Sequence, residues 1–258
     1  MSDSFVLDKE TIKQYELKRM DAHLKAGRWS PHEKVALVCR ILFDAGHDSG
    51  LAGQITARLD DDRYITQQLG LGFDEISSAN LLTVDRDLNV ISGDGMPNPA
   101  NRFHSWVYRA RPDVQCIVHT HPAHVSALAM LEEMLVVSHM DSCILYDEVA
   151  FLPRWPGIPV GNAEGEIITE ALGSKKALLL GHHGLIAAGS SVEEACVIAL
   201  QFERAARLQL LAMAAGDIKP VDPALAREAH DWLLQPKRID ATFSYYVKKI
   251  LARSNPLS

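Results

Sequence analysis

Apolar positions along the chain switch between a helical and a strand period, and the switches mark the elements. Lys9 to Lys25 is charged with Ile12, Leu17, Met20 and Leu24 spaced along it, which predicts a surface helix ending at Gly27. Ser30-Pro31 then starts a second helix, with Ser at the N-cap and Pro in the first turn; it runs over Val35 to Ala45 and stops near Gly46. Gly50 to Leu59 passes from a turn into a strand. Asp60-Asp61-Asp62 turns the chain, and Arg63 to Thr66 pairs back as a hairpin. Leu81–Val84 and Leu88–Ile91 predict a second hairpin across Asp85-Arg86-Asp87, and the Gly- and Pro-rich stretch from Ser92 to Pro99 predicts a loop. Asn101 to Arg111 is helical, with Phe103, Trp106 and Val107 on one face, and Pro112 stops it.

The second half reads in the same way. Cys116 to Thr120 is a buried strand, and Pro122 leads into a helix over His124 to Glu133. Met134 to Val137 predicts a short strand, and Val149 to Pro159 a Pro-rich connection. A helix over 161–173 follows, then strands over Lys176–Leu180 and Leu185–Ala188. Ser191 and Glu194 form a capping box for a long helix, Val192 to Ala215. Asp222-Pro223 starts another helix to about Leu234, and Ile239 to Arg253 predicts the last. Short hairpins with helices between them imply an α/β fold: a mostly antiparallel sheet covered by helices on both faces. Gly70-Leu71-Gly72 lacks the third glycine and the helix of a dinucleotide loop.

Composition narrows the function. The chain has 258 residues, 47% of them apolar, and a formal net charge of −7. Lys and Arg are scattered, which excludes a nucleic-acid partner and an anionic membrane surface as expectations. Cys39, Cys116, Cys143 and Cys196 stand alone in apolar runs and read as reduced, buried thiols. No basic leader with an apolar core opens the chain, and no stretch approaches the ~20 apolar residues that span a bilayer. The expectation is a soluble cytoplasmic protein.

The candidate chemistry sits at two strand ends. Side chains two apart on a strand share a face, so His119 and His121 converge where the Cys116 strand leaves the core. Such a pair fits a bound transition metal, and it also fits two hydrogen-bonded structural histidines. Gly181-His182-His183-Gly184 adds a third imidazole at a turn between strands, where glycines let the backbone come close. Three neutral imidazoles leave coordination positions open, as a catalytic metal requires.

These residues resemble the class II aldolase/adducin family. The similarity runs from about Ser30 to Gly216 and rests on Gly53-Gln54-Ile55-Thr56, Arg111-Pro112-Asp113, Val118-His119-Thr120-His121, His183-Gly184-Leu185 and the Val192 to Ala215 helix. The resemblance implies a three-layer α/β/α sandwich, homotetramers with sites at subunit interfaces, and a divalent ion, zinc first with Mn²⁺, Fe²⁺ or Co²⁺ as substitutes. It places His119, His121 and His183 on the three metal-binding histidines. It also implies a core domain at 30–216 with helical extensions at 1–29 and 217–258, the latter packed on that domain or on a neighbouring subunit.

Several positions depart from the sugar-phosphate aldolases. Ala100 stands where those enzymes resemble one another in an acidic base, Asn98-Pro99 where they have two serines, and Gly53-Gln54 where their phosphate loop has Gly-Asn. On this reading the chain looks like the adducin-like branch, lacking the aldolase base. Ser138-His139-Met140-Asp141 resembles the Thr-His-Ala-Asp of related epimerases, which makes Asp141 the candidate proton-transfer residue; an Asp capping a turn fits the same residues. His104, His124 and His182 fit either structure or a supporting role. The expected function is a metal-dependent lyase that cleaves a C–C bond beside a carbonyl in a small non-phosphorylated oxo- or hydroxy-acid. A decarboxylase of the same fold and a non-catalytic adducin-like scaffold are the alternatives.

Overall fold

The structure is a computed structural model describing residues 4–253. Its eight helices, apart from two short 3-10 segments, are α1 (Lys9–His23), α2 (Pro31–Asp44), α3 (Asn101–Ala110), α4 (Ala123–Met130), α5 (Asn162–Leu172), α6 (Val192–Met213), α7 (Pro223–Leu233) and α8 (Pro236–Leu251). Its strands are β1 (Gln54–Arg58), β2 (Arg63–Gln67), β3 (Leu81–Asp85), β4 (Val90–Ser92), β5 (Cys116–Thr120), β6 (Val149–Leu152), β7 (Ala177–Leu180) and β8 (Leu185–Gly189). They form one eight-stranded sheet in the order β4-β3-β2-β1-β5-β8-β7-β6. Every pairing is antiparallel except β6 with β7.

Strand alternation divides the core in two. Cys116 and Val118 of β5, Leu179 of β7 and Ala187 of β8 face α2, α4, α6 and α8. Ile117, Leu178 and Ile186 face α3 and α5. The result is the three-layer sandwich that the alternating pattern implied. Central strands β5, β7 and β8 are apolar on both faces because both are covered. α2 starts with a full capping box, since Ser30 accepts from the Glu33 N–H and Glu33 accepts from the Ser30 N–H. α1 buries no residue and is tied to α7 by an ion pair between Lys9 and Glu228.

Some expectations fail for physical reasons. Met134 to Val137 is not a strand: the Gln209 side chain from α6 accepts from the Val136 N–H and donates to the Met134 carbonyl, replacing a strand neighbour. The expected connection at Val149 to Pro159 begins with a strand, β6, before the first of its prolines. At α6 only half of the capping box forms. Ser191 accepts from the Glu194 N–H, but the Glu194 carboxylate turns to Ser190 and Lys176. On α3, Phe103 and Val107 are buried together as expected. Trp106 instead lies against α5, where a Cβ on Gly165 would fall 2.4 Å from its ring.

Candidate metal centre

β5 lies between β1 and β8, with His119 opposite Gln54 on one side and Ile186 on the other. His119 shares a face with Ile117, the α3 side, and its ring meets Phe103 edge-on at 5.2 Å between centroids. His121 follows on the same face, just past the strand end. The β7–β8 turn brings in His183: the Leu180 N–H donates to the Gly184 carbonyl and the His183 N–H to the Leu180 carbonyl. The turn glycines are required by space. A Cβ on Gly184 would lie 2.5 Å from the Thr120 carbonyl oxygen and 2.7 Å from the His121 ring. One on Gly181 would lie 2.2 Å from the Pro153 carbonyl oxygen. The left-handed residue of the turn is His182, with φ of 56°, whose imidazole is tied to Glu132 at 2.8 Å.

The three histidines converge. One ring nitrogen from each lies within 4.8 Å of the others. Nε2 of His119 and Nε2 of His121 are 3.0 Å apart. His119 Nδ1 is 2.8 Å from the Leu185 carbonyl, which can only accept, so Nδ1 carries the proton and the Nε2 lone pair faces the cluster. Burial, with His183 and His121 nearby, holds His119 well below the ordinary imidazole range. Burial lowers His121 as well, and burial with His121 beside it brings His183 down to about 4. Three imidazoles are therefore neutral at physiological pH, which is the ligand form. The donor set fits a divalent ion: three nitrogens, a fixed tautomer and neighbouring glycine space. It is a buried cluster capable of chelating a divalent metal ion.

Other histidines have separate duties. His104 pairs through Nδ1 with the Thr56 hydroxyl at 2.7 Å, and His47 with the Thr120 hydroxyl at 2.9 Å. Burial holds each at a pKa of about 3, and the Nε2 of each is buried without a partner. His124 donates to Glu203, whose carboxylate also receives the N–H groups at the start of α4. Asp141 is not in the cluster; its exposed carboxylate accepts from Arg204 at 3.0 Å and 3.2 Å. His47 carried no sequence signal, and Gln54, noted only where the related phosphate loop has Asn, has a buried, unpartnered Oε1. Their neighbours lie on other strands, and nothing local marks the burial of either.

The fold and this cluster define a class II-aldolase-type enzyme with a histidine triad suited to metal-assisted C–C cleavage. The family profile of the class II aldolase and adducin N-terminal domain matches residues 33–210, and the chain belongs to that family. It is 31% identical over 192 residues to the 4-hydroxy-3-prenylphenylpyruvate oxygenase/4-hydroxy-3-prenylbenzoate synthase of Streptomyces roseochromogenus subsp. oscitans, covering 73% of this chain and 68% of that one. It is 30% identical over 184 residues to the L-fuculose phosphate aldolase of Escherichia coli strain K12, covering 71% of this chain and 84% of the aldolase. Among solved structures, the L-fuculose 1-phosphate aldolase from Glaciozyma antarctica PI12 superposes with a TM-score of 0.81 at 27% identity, over 90% of this chain and 95% of that one.

These likenesses overturn the placement in a base-lacking adducin branch. The fold is homologous to fuculose 1-phosphate aldolase across nearly its whole length, and the histidine set is complete. The departures at Asn98, Pro99 and Ala100 occupy one short turn before α3, where Asn98 Oδ1 accepts from the Ala100 N–H. A single turn does not define the lineage of a chain that matches over all its layers. No helix among the described residues is long and apolar enough to cross a membrane.

Proposed function

We propose that the chain is a divalent-metal-dependent carbon–carbon lyase for small non-phosphorylated oxo- or hydroxy-acids, with zinc held by His119, His121 and His183. The observation that carries this reading is the convergence of three neutral imidazoles with the His119 tautomer fixed by Leu185. When bound, the cation stabilises the negative charge that develops on a substrate carbonyl oxygen as the adjacent C–C bond breaks. The chain's own residues do the rest. Burial keeps the imidazoles unprotonated, and the Leu185 carbonyl aims one of them. Phe103 packs edge-on against His119 on the α3 side and fixes the ring from that direction.

The absence of phosphate in the substrate is supported by the turn before α3. Asn98 spends its side-chain oxygen on the Ala100 N–H, and Pro99 has no N–H to offer an anion. The Streptomyces relative is named for an aryl oxo-acid, 4-hydroxy-3-prenylphenylpyruvate, which is of the proposed substrate kind. Asp141 is proposed as the proton carrier, working in a homotetramer where its exposed carboxylate faces a neighbour's site. The helical stretches 1–29 and 217–258 are proposed as extensions of a 30–216 catalytic domain. Four buried free cysteines favour a reducing cytoplasm.

The test is a comparison on one metal-loaded preparation. Aliphatic and aromatic oxo- and hydroxy-acids should be cleaved, with the carbonyl fragment detected, while fuculose 1-phosphate is turned over poorly. Asp141→Asn should lower turnover by roughly 10²–10⁴-fold and leave metal content unchanged. Efficient cleavage of the sugar phosphate alone would refute the substrate class, and release of CO₂ without an aldehyde would replace aldol cleavage by decarboxylation.

A further inference from the structure

A cavity of about 460 Å³ lies on the outer side of α3, away from the histidines. Its place follows from β1. Gln54, at one end of that strand, pairs with His119, and Arg58, at the other end, lines the cavity. Four residue steps along the strand separate them, about 13 Å. None of the three clustered histidines lines it. The volume is in the range of small-molecule sites, roughly 300–1,000 Å³.

The lining is chemically specific. Arg102, Ser105, Trp106 and Arg109 form a stripe along α3 at helical spacing, while Phe103, His104, Val107 and Tyr108 turn inward to the core. Arg58 and Arg86 complete a set of guanidiniums, opposed by the carboxylates of Asp61 and Asp87. Arg58 is locked: its guanidinium donates to the carbonyls of Val114, Tyr108 and Arg111 and lies 4.7 Å from the centre of the Tyr108 ring. Arg86 is paired with Asp62, and Arg102 touches Asp87 only at 3.4 Å. Arg109 has no acidic partner among the described residues; its guanidinium sits 5.5 Å from the Trp106 ring. Positive charge is thus left over on one wall.

Aromatic surface lies beside that charge. Tyr64 and Tyr108 stack at 4.6 Å with planes 15° apart, and both line the cavity. Trp106 is held by its indole N–H donating to Asn162 Oδ1 at 3.1 Å and by its packing on Gly165. The Ser105 hydroxyl, on the same wall, is buried without a hydrogen-bond partner. An unneutralised guanidinium next to a fixed indole recognises a flat ring that carries a negative charge.

We propose that this cavity is a second binding site, separate from the metal centre, for a small organic anion bearing an aromatic ring. Arg109 and Arg102 hold the anionic group, and Trp106 holds the ring, while the buried tyrosine stack backs the wall behind it. An aryl carboxylate and a nucleotide monophosphate share that chemistry.

Calorimetric titration of the intact protein at low salt separates the cases. The probes are naphthoate and adenosine monophosphate, with cyclohexanecarboxylate and inorganic phosphate as controls lacking the ring. At least one ring-bearing anion should bind, about 10-fold or more tighter than its control, and added salt should weaken it. Arg109→Gln should weaken that probe by about 10-fold or more and Arg102→Gln by less, with the thermal midpoint of Arg109→Gln unchanged because that side chain is exposed and unpaired with any acid among the described residues. His183→Ala should bind the probe as the wild type does, which keeps this result independent of the metal centre. Whichever probe binds identifies the source of the ligand. Failure of both probes, equal binding of the controls, unchanged binding by Arg109→Gln, or loss of binding in His183→Ala would each overturn the proposal.

Discussion

His47 and His104 are as deeply buried as His119, and all are neutral, yet only one of these regions is a candidate metal centre. His47 and His104 each end on one threonine hydroxyl, and among the described residues neither belongs to a cluster of three or more possible metal ligands. His119, His121 and His183 end on one another, brought together by a strand end and a glycine-flanked turn. Burial therefore makes an imidazole neutral in both regions. Convergence is what makes a ligand set, and convergence is a property of the strand register.

The sharpest way to break the comparison is to remove one imidazole from each region. His183→Ala should lower divalent-metal affinity by about 100-fold or more, since it deletes a ligand outright and even its supporting partners are worth 10–100-fold. Elemental analysis after dialysis checks it, and full occupancy in the variant would end the distinction. His104→Ala should retain metal while losing about 2–4 kcal/mol of stability, because it opens a buried volume and leaves the Thr56 hydroxyl with Tyr108 as its one side-chain partner. Chemical denaturation reads this directly.

Gly184→Ala tests whether the turn is spaced by contact. Its Cβ would meet the Thr120 carbonyl and the His121 ring, so about 1–3 kcal/mol of stability and part of the metal affinity should go together. A variant with full stability and full occupancy would show that the close approach is not needed.

A pH dependence is a further effect that both regions share. His47 and His104 titrate near 3 in the fold, against an ordinary 6.5. Below 6.5 the unfolded chain takes up protons that the fold refuses, so this stability is fully present above 6.5 and is lost as pH falls toward 3. Metal-free protein should show a falling thermal midpoint over that window, and His47→Asn should flatten the fall. An equal slope in the variant would assign the acid sensitivity to other groups.

Much of this was legible because it is local. Period-two spacing put His119 and His121 on one face, and flanking glycines marked the His183 turn. Cys116 to Thr120 and the β7–β8 pair announced themselves as apolar runs between breakers. What was not legible depends on distant partners. His47 meets Thr120 across the fold, and the Val136 N–H is satisfied by Gln209 on α6. β6 exists through its parallel pairing with β7, which the prolines after it concealed. The adducin-like placement erred in the opposite direction, giving local departures at Gly53-Gln54 and at Asn98 to Ala100 more weight than the pattern of all three layers.

The central claim is that three imidazoles share one ion. X-ray absorption at the zinc edge, on protein loaded with one equivalent of zinc, addresses it directly. Three imidazole nitrogens at about 2.0–2.1 Å are expected, falling to two in His183→Ala. A wild-type spectrum with sulfur ligands, or one unchanged by His183→Ala, would contradict it.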